Sequence, residues 1–137
     1  MRFEELQVGQ RASIDRVVTD ADIEAFGVLT GDRNPVHFDE AFAESTRFQG
    51  RIGHGLLTAS FISTVLGMHL PGTGAIYVSQ SLRFLLPVRP GDAISVAAEV
   101  IDLMPERRRV RLRTTVTNQD GALVLDGEAE MVVLRER

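Results

Sequence analysis

The chain contains no cysteine. That excludes disulfide staples, a thiolate nucleophile and any cysteine-based metal site, and it fits a reducing compartment such as the cytoplasm. No stretch approaches the roughly 18 uninterrupted apolar residues of a membrane-spanning helix, so a membrane is not an expected partner. The start, Met1-Arg2-Phe3-Glu4-Glu5, lacks the basic segment and apolar run of a secretory signal. A surplus of positive charge is also missing. The formal net charge of -4 at pH 7 argues against general nucleic-acid binding. Internal repeats, low-complexity tracts and linkers are absent. What is left is one expected domain, residues 1–137, long enough to bury a sizeable core.

The first half reads as mostly helical. Residues 8–18 form a strand, after a turn at Val8-Gly9. Thr19 and Asp20 then make an N-cap region, with Asp22 in the first turn. Ile23, Phe26, Gly27 and Leu29 recur at helical spacing, so a short amphipathic helix is predicted over about 20–30. Gly31 breaks it. Residues 31–37 are predicted to be loop, because Asn34 precedes Pro35 and is pushed out of the helical region. Asp39 caps a second short helix through about Thr46. Residues 47–54, with Gly50 and Gly53, read as loop again. The run from Gly55 to Gly67 is apolar almost all round, which predicts a helix buried on most sides. At about 1.5 Å per residue it is roughly 20 Å long. Pro71-Gly72-Thr73-Gly74 closes the helical part.

After residue 75 the pattern changes to β-rich runs at 75–86, 92–103, 107–118 and 122–134, separated by turn signals. Arg107, Arg109, Arg111 and Arg113 alternate along one of them, and Asp126, Glu128 and Glu130 alternate along the next. A hairpin turning at 119–120 sets 113 opposite 126, 111 opposite 128 and 109 opposite 130. Turning at 120–121 still pairs arginine with acid. A self-neutralised outer face is therefore preferred to an anion site. Helices first and long antiparallel strands afterwards make the fold α+β. One very apolar helix and a long curled sheet suggest that the sheet wraps the helix, which is the hot-dog fold.

The loop Gly31-Asp32-Arg33-Asn34-Pro35-Val36-His37 sets a carboxylate and an imidazole five positions apart, on a path stiffened by Pro35. Asp and His together offer a base and a tunable proton carrier. Adding water to an activated alkene needs a group that deprotonates water at the β-carbon and one that delivers a proton to the α-carbon. The same residues would also serve as a plain turn with a satisfied histidine. His54-Gly55 opens the apolar helix, whose N-terminus carries free N–H groups and partial positive charge. A thioester carbonyl there would be polarised. Gly55 would let it approach closely. The other reading of this pair is a simple glycine N-cap. Ser63, a little over two turns further on, would bond either a carboxylate such as Asp32 or its own helix.

Taken together, these segments resemble the MaoC-like dehydratase family, in particular its short single-domain (R)-specific enoyl-CoA hydratases linked to polyhydroxyalkanoate monomer supply. The matching stretches are Gly31 to His37, Arg51-Ile52-Gly53-His54-Gly55-Leu56-Leu57, Leu70-Pro71-Gly72, Ile76 to Phe84, and Pro87-Val88-Arg89-Pro90-Gly91-Asp92. The resemblance implies a hot-dog fold, a homodimer, and hydration of trans-2-enoyl-CoA to (R)-3-hydroxyacyl-CoA. The family's catalytic Asp and His fall on Asp32 and His37, its main-chain donor to the thioester oxygen on Gly55, and its supporting serine on Ser63. Substrate contacts are expected at Asn34, His54, Ile62, Leu66 and Arg83, with Met131 as a further pocket wall. Arg89 is another candidate for the CoA phosphates, and His69 is read as structural. No metal and no redox cofactor are expected, coenzyme A being part of the substrate. The readings that stay open are a 3-hydroxyacyl-ACP dehydratase, a hot-dog acyl-CoA thioesterase and a non-catalytic acyl-CoA-binding protein.

Overall fold

Alternating apolar and polar residues settle into long antiparallel strands in the computed structural model, which describes residues 1–136. The strands are β1 (Arg11–Val17), β2 (Ala75–Gln80), β3 (Arg83–Phe84), β4 (Ala93–Met104), β5 (Arg109–Thr117) and β6 (Leu123–Val133). They form one six-stranded sheet in the order β1-β4-β5-β6-β2, with β3 also pairing with β6. The sheet is not closed. The run expected over 75–86 is split in two, because the chain crosses close above Gly127. A Cβ at Gly127 would lie 1.9 Å from the carbonyl oxygen of Ser81, so only glycine fits beneath that crossing.

The hairpin takes the second of the two predicted registers. Arg111 faces Glu130 and Arg113 faces Glu128, although the turn itself lies at residues 119–120, because a bulge between Val116 and Thr117 shifts the pairing by one residue. Gly121 has φ +73 there, a value that favours glycine. The two shortest ion pairs are diagonal, Arg109 lying 2.7 Å from Glu130 and Arg113 3.2 Å from Asp126, while the directly opposed Arg111 lies 3.8 Å from Glu130. On the opposite face, Val110 stands against Met131 and Leu112 against Ala129.

Four helices precede or interrupt the strands: α1 (Asp20–Thr30), α2 (Pro35–Phe38), α3 (Glu40–Glu44) and α4 (Gly55–Met68). Thr19 and Asp22 close a reciprocal capping box at the start of α1. Gly31 ends that helix in the left-handed conformation, φ +80. The pattern predicts loop over residues 31–37, and the structure corrects this for residues 35–37. Pro35 is intolerant of the residue before it being helical, but it is well suited to the first helical position itself. A single turn therefore starts at Pro35, with the Asn34 side chain accepting from the Val36 N–H at 3.3 Å.

Helix α4 presents Leu57, Ile62, Val65 and Leu66 to the concave face of the sheet, where they join Val96, Val100, Val110, Leu112, Leu125 and Met131 in one core cluster. Each such aliphatic side chain contributes about 1.5–3 kcal/mol on full burial. The expectation of burial on most sides is corrected on the other face. Leu56, Ser60, Ser63, Thr64 and Met68 are exposed, because the sheet curls around one side of the helix only. No helix among the described residues is long and apolar enough to cross a membrane.

Candidate active site

The end of α1 and the whole of α2 set the positions of the two acid–base side chains. After Gly31, the Asp32 N–H donates to Thr30 Oγ1 at 3.1 Å, and Asp32 Oδ1 accepts from the Asn34 N–H at 3.2 Å. This Asx turn reverses the chain into α2, whose single turn carries His37 inward. Asp32 stays exposed, whereas His37 is buried. Arg51 holds the back of that turn. Its Nε donates to the His37 carbonyl oxygen at 2.7 Å, and its Nη1 lies 3.0 Å from Asp20 Oδ1 at the start of α1.

The imidazole of His37 is oriented by a second main-chain contact. Its Nδ1 lies 2.8 Å from the carbonyl oxygen of Ile52. A carbonyl oxygen only accepts, so Nδ1 carries the hydrogen and Nε2 keeps its lone pair. Burial lowers the His37 pKa below the ordinary 6.5, and the neighbouring His54 acts in the same direction. The Ile52 hydrogen bond and the Asp32 carboxylate oppose that shift.

A cleft of about 320 Å³ opens beside His37. Its walls are largely apolar, with Phe48, Ile52, Phe84, Leu85, Leu86, Val88 and Val124, and Arg47 also borders it. Gly55 lines the same cleft at the first residue of α4. The His54 side chain makes no capping hydrogen bond to this helix, so the positive end of α4 is left open beside the cleft. A Cβ at residue 55 would lie 2.8 Å from the Phe84 ring, so any larger residue here has to push that ring or the helix end aside. The arrangement offers a proton acceptor and an oxyanion-stabilising terminus at an apolar slot, with the Asp32 carboxylate within 4.8 Å of a His37 ring nitrogen.

Other expected site residues lie elsewhere. Ile62, Leu66 and Met131 are 1%, 0% and 2% exposed and belong to the core, not to the cleft wall. An apolar helix pattern does not distinguish core from pocket. His54 was expected to touch substrate, but it is 2% exposed and sits behind the dyad. Its Nε2 is 3.0 Å from the main-chain oxygen of Asp32, and its ring lies 4.0 Å from that of His37, centroid to centroid. Asn34 spends its side-chain oxygen on capping α2. Arg83 lies on β3 opposite Asp126 and does not border the cleft. Ser63 lies on the exposed face of α4, in a shallow depression shared with Tyr77 and Val78, and it makes no hydrogen bond to Asp32 among the described residues. Arg89 donates to the carbonyl oxygen of Phe48 and so ties down the loop that borders the cleft.

No role was expected for Arg47, nor for Arg51, which figures only as the first residue of a stretch that resembles the family. Each is a lone arginine in a loop, and nothing in the local pattern separates it from a solvated charge. Asp32, His37 and His54 bring three potential ligand atoms within 4.8 Å of one another. Two ring nitrogens of that group already face carbonyl oxygens, those of Ile52 and Asp32.

The chain matches the family described as MaoC like domain over residues 3–122. It is 51% identical over 127 residues to the 3-hydroxybutyryl-CoA dehydratase of Methylorubrum extorquens, covering 93% of this chain and 80% of that protein. It is 47% identical over 131 residues to the (R)-specific enoyl-CoA hydratase of Rhodospirillum rubrum, covering 96% of this chain and 90% of that protein. Among solved structures it is similar to an R-hydratase from Pseudomonas aeruginosa in the unliganded form. The TM-score is 0.92 at 44% identity, over 98% of this chain and 86% of that one.

Proposed function

Because the chain belongs to the MaoC-like domain family, we propose that it is an (R)-specific enoyl-CoA hydratase, a reversible hydro-lyase that converts trans-2-enoyl-CoA to (R)-3-hydroxyacyl-CoA. The observation that carries the reading is the Asp32 carboxylate within 4.8 Å of the ring of His37, whose Nε2 is left as a lone pair, beside an apolar cleft bordered by the open N-terminus of α4. The names of the relatives support it.

The acyl chain enters the apolar cleft, and the thioester oxygen meets the Gly55 N–H. A water held between Asp32 and His37 attacks C3. Asp32 accepts one of its protons as the C3–O bond forms, and the π electrons move to an enolate on the thioester. The N-terminal dipole of α4 stabilises that charge. A proton then passes from the dyad to C2 on the same face, and Asp32 returns to its ionised form. Water is fully consumed and no electrons leave the substrate, so the proposed chemistry needs neither a metal nor a redox cofactor. Its product is an activated hydroxyacid, the form in which a polyester monomer is supplied.

The proposal includes a homodimer. Strand β2 is an edge strand, with Ile76, Tyr77 and Val78 exposed at 50%, 40% and 42%, and the exposed face of α4 with Leu56 and Ser63 lies beside it. Pairing two copies there would cover the edge and the apolar residues together. It would also give Ser63 a partner surface. The proposal further places the protein in the cytoplasm, because a CoA thioester is a multiply charged molecule that does not cross a membrane unaided.

The decisive assay follows the enoyl-thioester absorbance on crotonyl-CoA, octenoyl-CoA and the matching acyl-ACP, with and without EDTA, and determines the chirality of the product. The proposal expects loss of absorbance on CoA substrates, unaffected by EDTA, with the (R)-3-hydroxyacyl-CoA formed. Turnover on ACP substrates alone would indicate the acyl-ACP dehydratase. Release of free CoA would indicate a thioesterase, and binding without turnover a carrier protein.

A further inference from the structure

We infer that His54 is the positioning residue of the dyad: its Nε2–H holds the main-chain carbonyl of Asp32 while its ring backs the ring of His37, so that one buried side chain sets both catalytic groups. The inference rests on the hydratase reading for its kinetic test, but not for its geometric one.

Four observations converge on this side chain. The first is the 3.0 Å contact between Nε2 and the Asp32 carbonyl oxygen, across 22 positions of chain. The acceptor is a carbonyl, so the hydrogen sits on Nε2. The second is the ring contact with His37, 4.0 Å between centroids and inclined by 32°. The third is the remaining enclosure, made of Phe26 at 4.7 Å and Phe38 at 5.5 Å. The fourth is Nδ1, which is buried and has no hydrogen-bond partner. Leaving a buried acceptor unpaired costs about 1–3 kcal/mol. A phenylalanine would fill this apolar box without that cost. The histidine is explained by the one thing phenylalanine lacks, a donor for the Asp32 carbonyl.

The consequence is mechanical. Asp32 follows Gly31, whose φ of +80 allows the chain to turn but does not fix where the next residue sits. Asp32 is exposed, and its other hydrogen bonds, to Thr30 Oγ1 and from the Asn34 N–H, are local ones within the same loop. The His54 hydrogen bond fixes the loop from behind, and the same ring limits tilting of His37. The two stacked imidazoles therefore carry opposite tautomers, His37 with its hydrogen on Nδ1 and His54 with its hydrogen on Nε2. Displacing catalytic groups by about 1 Å costs on the order of 10²-fold in rate.

Two variants separate the donor from the packing. His54→Gln retains an N–H in place of Nε2, while His54→Phe retains the ring and loses the donor. With crotonyl-CoA as substrate, H54F is expected to lose about 10²-fold in kcat with KM nearly unchanged. H54Q is expected to recover most of that loss. A wild-type kcat in H54F, a change in KM alone, or a glutamine variant as poor as phenylalanine would each overturn the inference. Nitrogen-15 spectra of the wild-type histidines, of which the chain has 3, provide a test that needs no variant to fold. His54 is expected as the neutral Nε2–H tautomer and His37 as Nδ1–H. An Nδ1–H tautomer at His54 would overturn the assignment whether or not the protein turns over enoyl-CoA. An inactive wild type with the expected tautomers would fault the hydratase reading and leave the positioning geometry standing.

Discussion

The carbonyl oxygen of Ile52 lies 2.8 Å from Nδ1 of His37 and decides which side of that ring is left for chemistry. With Nδ1 committed as a donor, Nε2 is a proton acceptor whenever His37 is neutral. Burial favours the neutral form and lowers the pKa below 6.5. Two consequences share one sign. A rate that requires neutral His37 is fully expressed near neutral pH and falls as pH drops through the depressed folded-state value, below 6.5. Any stability gained from burying neutral His37 is present above the unfolded value and is lost over the same acid window. A pH series of kcat/KM in wild type and His37→Gln tests this. The acid limb is expected below 6.5 in wild type and is expected to change shape in the variant.

Gly55 and Phe84 make a steric pair. A Cβ at residue 55 would stand 2.8 Å from the Phe84 ring and border the cleft. Gly55→Ala is expected to lower kcat/KM by about 10-fold or more, as the N-terminus of α4 is pushed from the thioester oxygen. The double variant Gly55→Ala/Phe84→Leu is expected to recover part of the loss, because the ring that collides has been removed. Steady-state kinetics on the three proteins check the expected ordering.

Gly127 tests the fold independently of catalysis. Its missing Cβ would lie 1.9 Å from the backbone oxygen of Ser81, which cannot rotate aside as a side chain would. Gly127→Ala should destabilise the protein by at least about 2 kcal/mol, read as a lower midpoint in urea unfolding. An unchanged midpoint would mean that the β2–β3 crossing lies elsewhere.

The exposed face of α4 and the β2 edge predict the assembly. Leu56→Arg places a charge at a residue that is 61% exposed in a single chain. It is expected to shift the protein from dimer to monomer in light scattering coupled to size exclusion. A wild-type protein that is already monomeric at micromolar concentration would contradict the proposed pairing.

Features governed by local rules were legible in the sequence. The Thr19–Asp22 capping box, the glycine stop at Gly31 and the Asp39 cap follow from residues within a few positions of one another. The alternation of Arg109, Arg111 and Arg113 against Asp126, Glu128 and Glu130 predicted a paired outer face, but two registers satisfied it equally. A bulge between Val116 and Thr117, which the alternation does not announce, shifts the pairing beyond the turn and sets Arg111 against Glu130. The all-round apolar pattern of α4 was misleading in one respect. It predicted burial without saying against what, so Ile62 and Leu66 were expected at the cleft wall and are found in the core. The least legible parts depend on distant segments meeting. His54 reaches Asp32 across 22 positions and Arg51 reaches the carbonyl of His37 across 14. No spacing rule connects residues so far apart.

In the proposed hydration, Asp32, within 4.8 Å of a ring nitrogen of His37, activates the water. The most direct test of this step is the turnover of Asp32→Ala on crotonyl-CoA against wild type, with circular dichroism to establish that the variant is folded. A loss of about 10²–10⁴-fold in kcat is expected. A folded variant whose turnover stays within about threefold of wild type would contradict it, since removing a positioned acid–base group cannot leave the rate nearly unchanged.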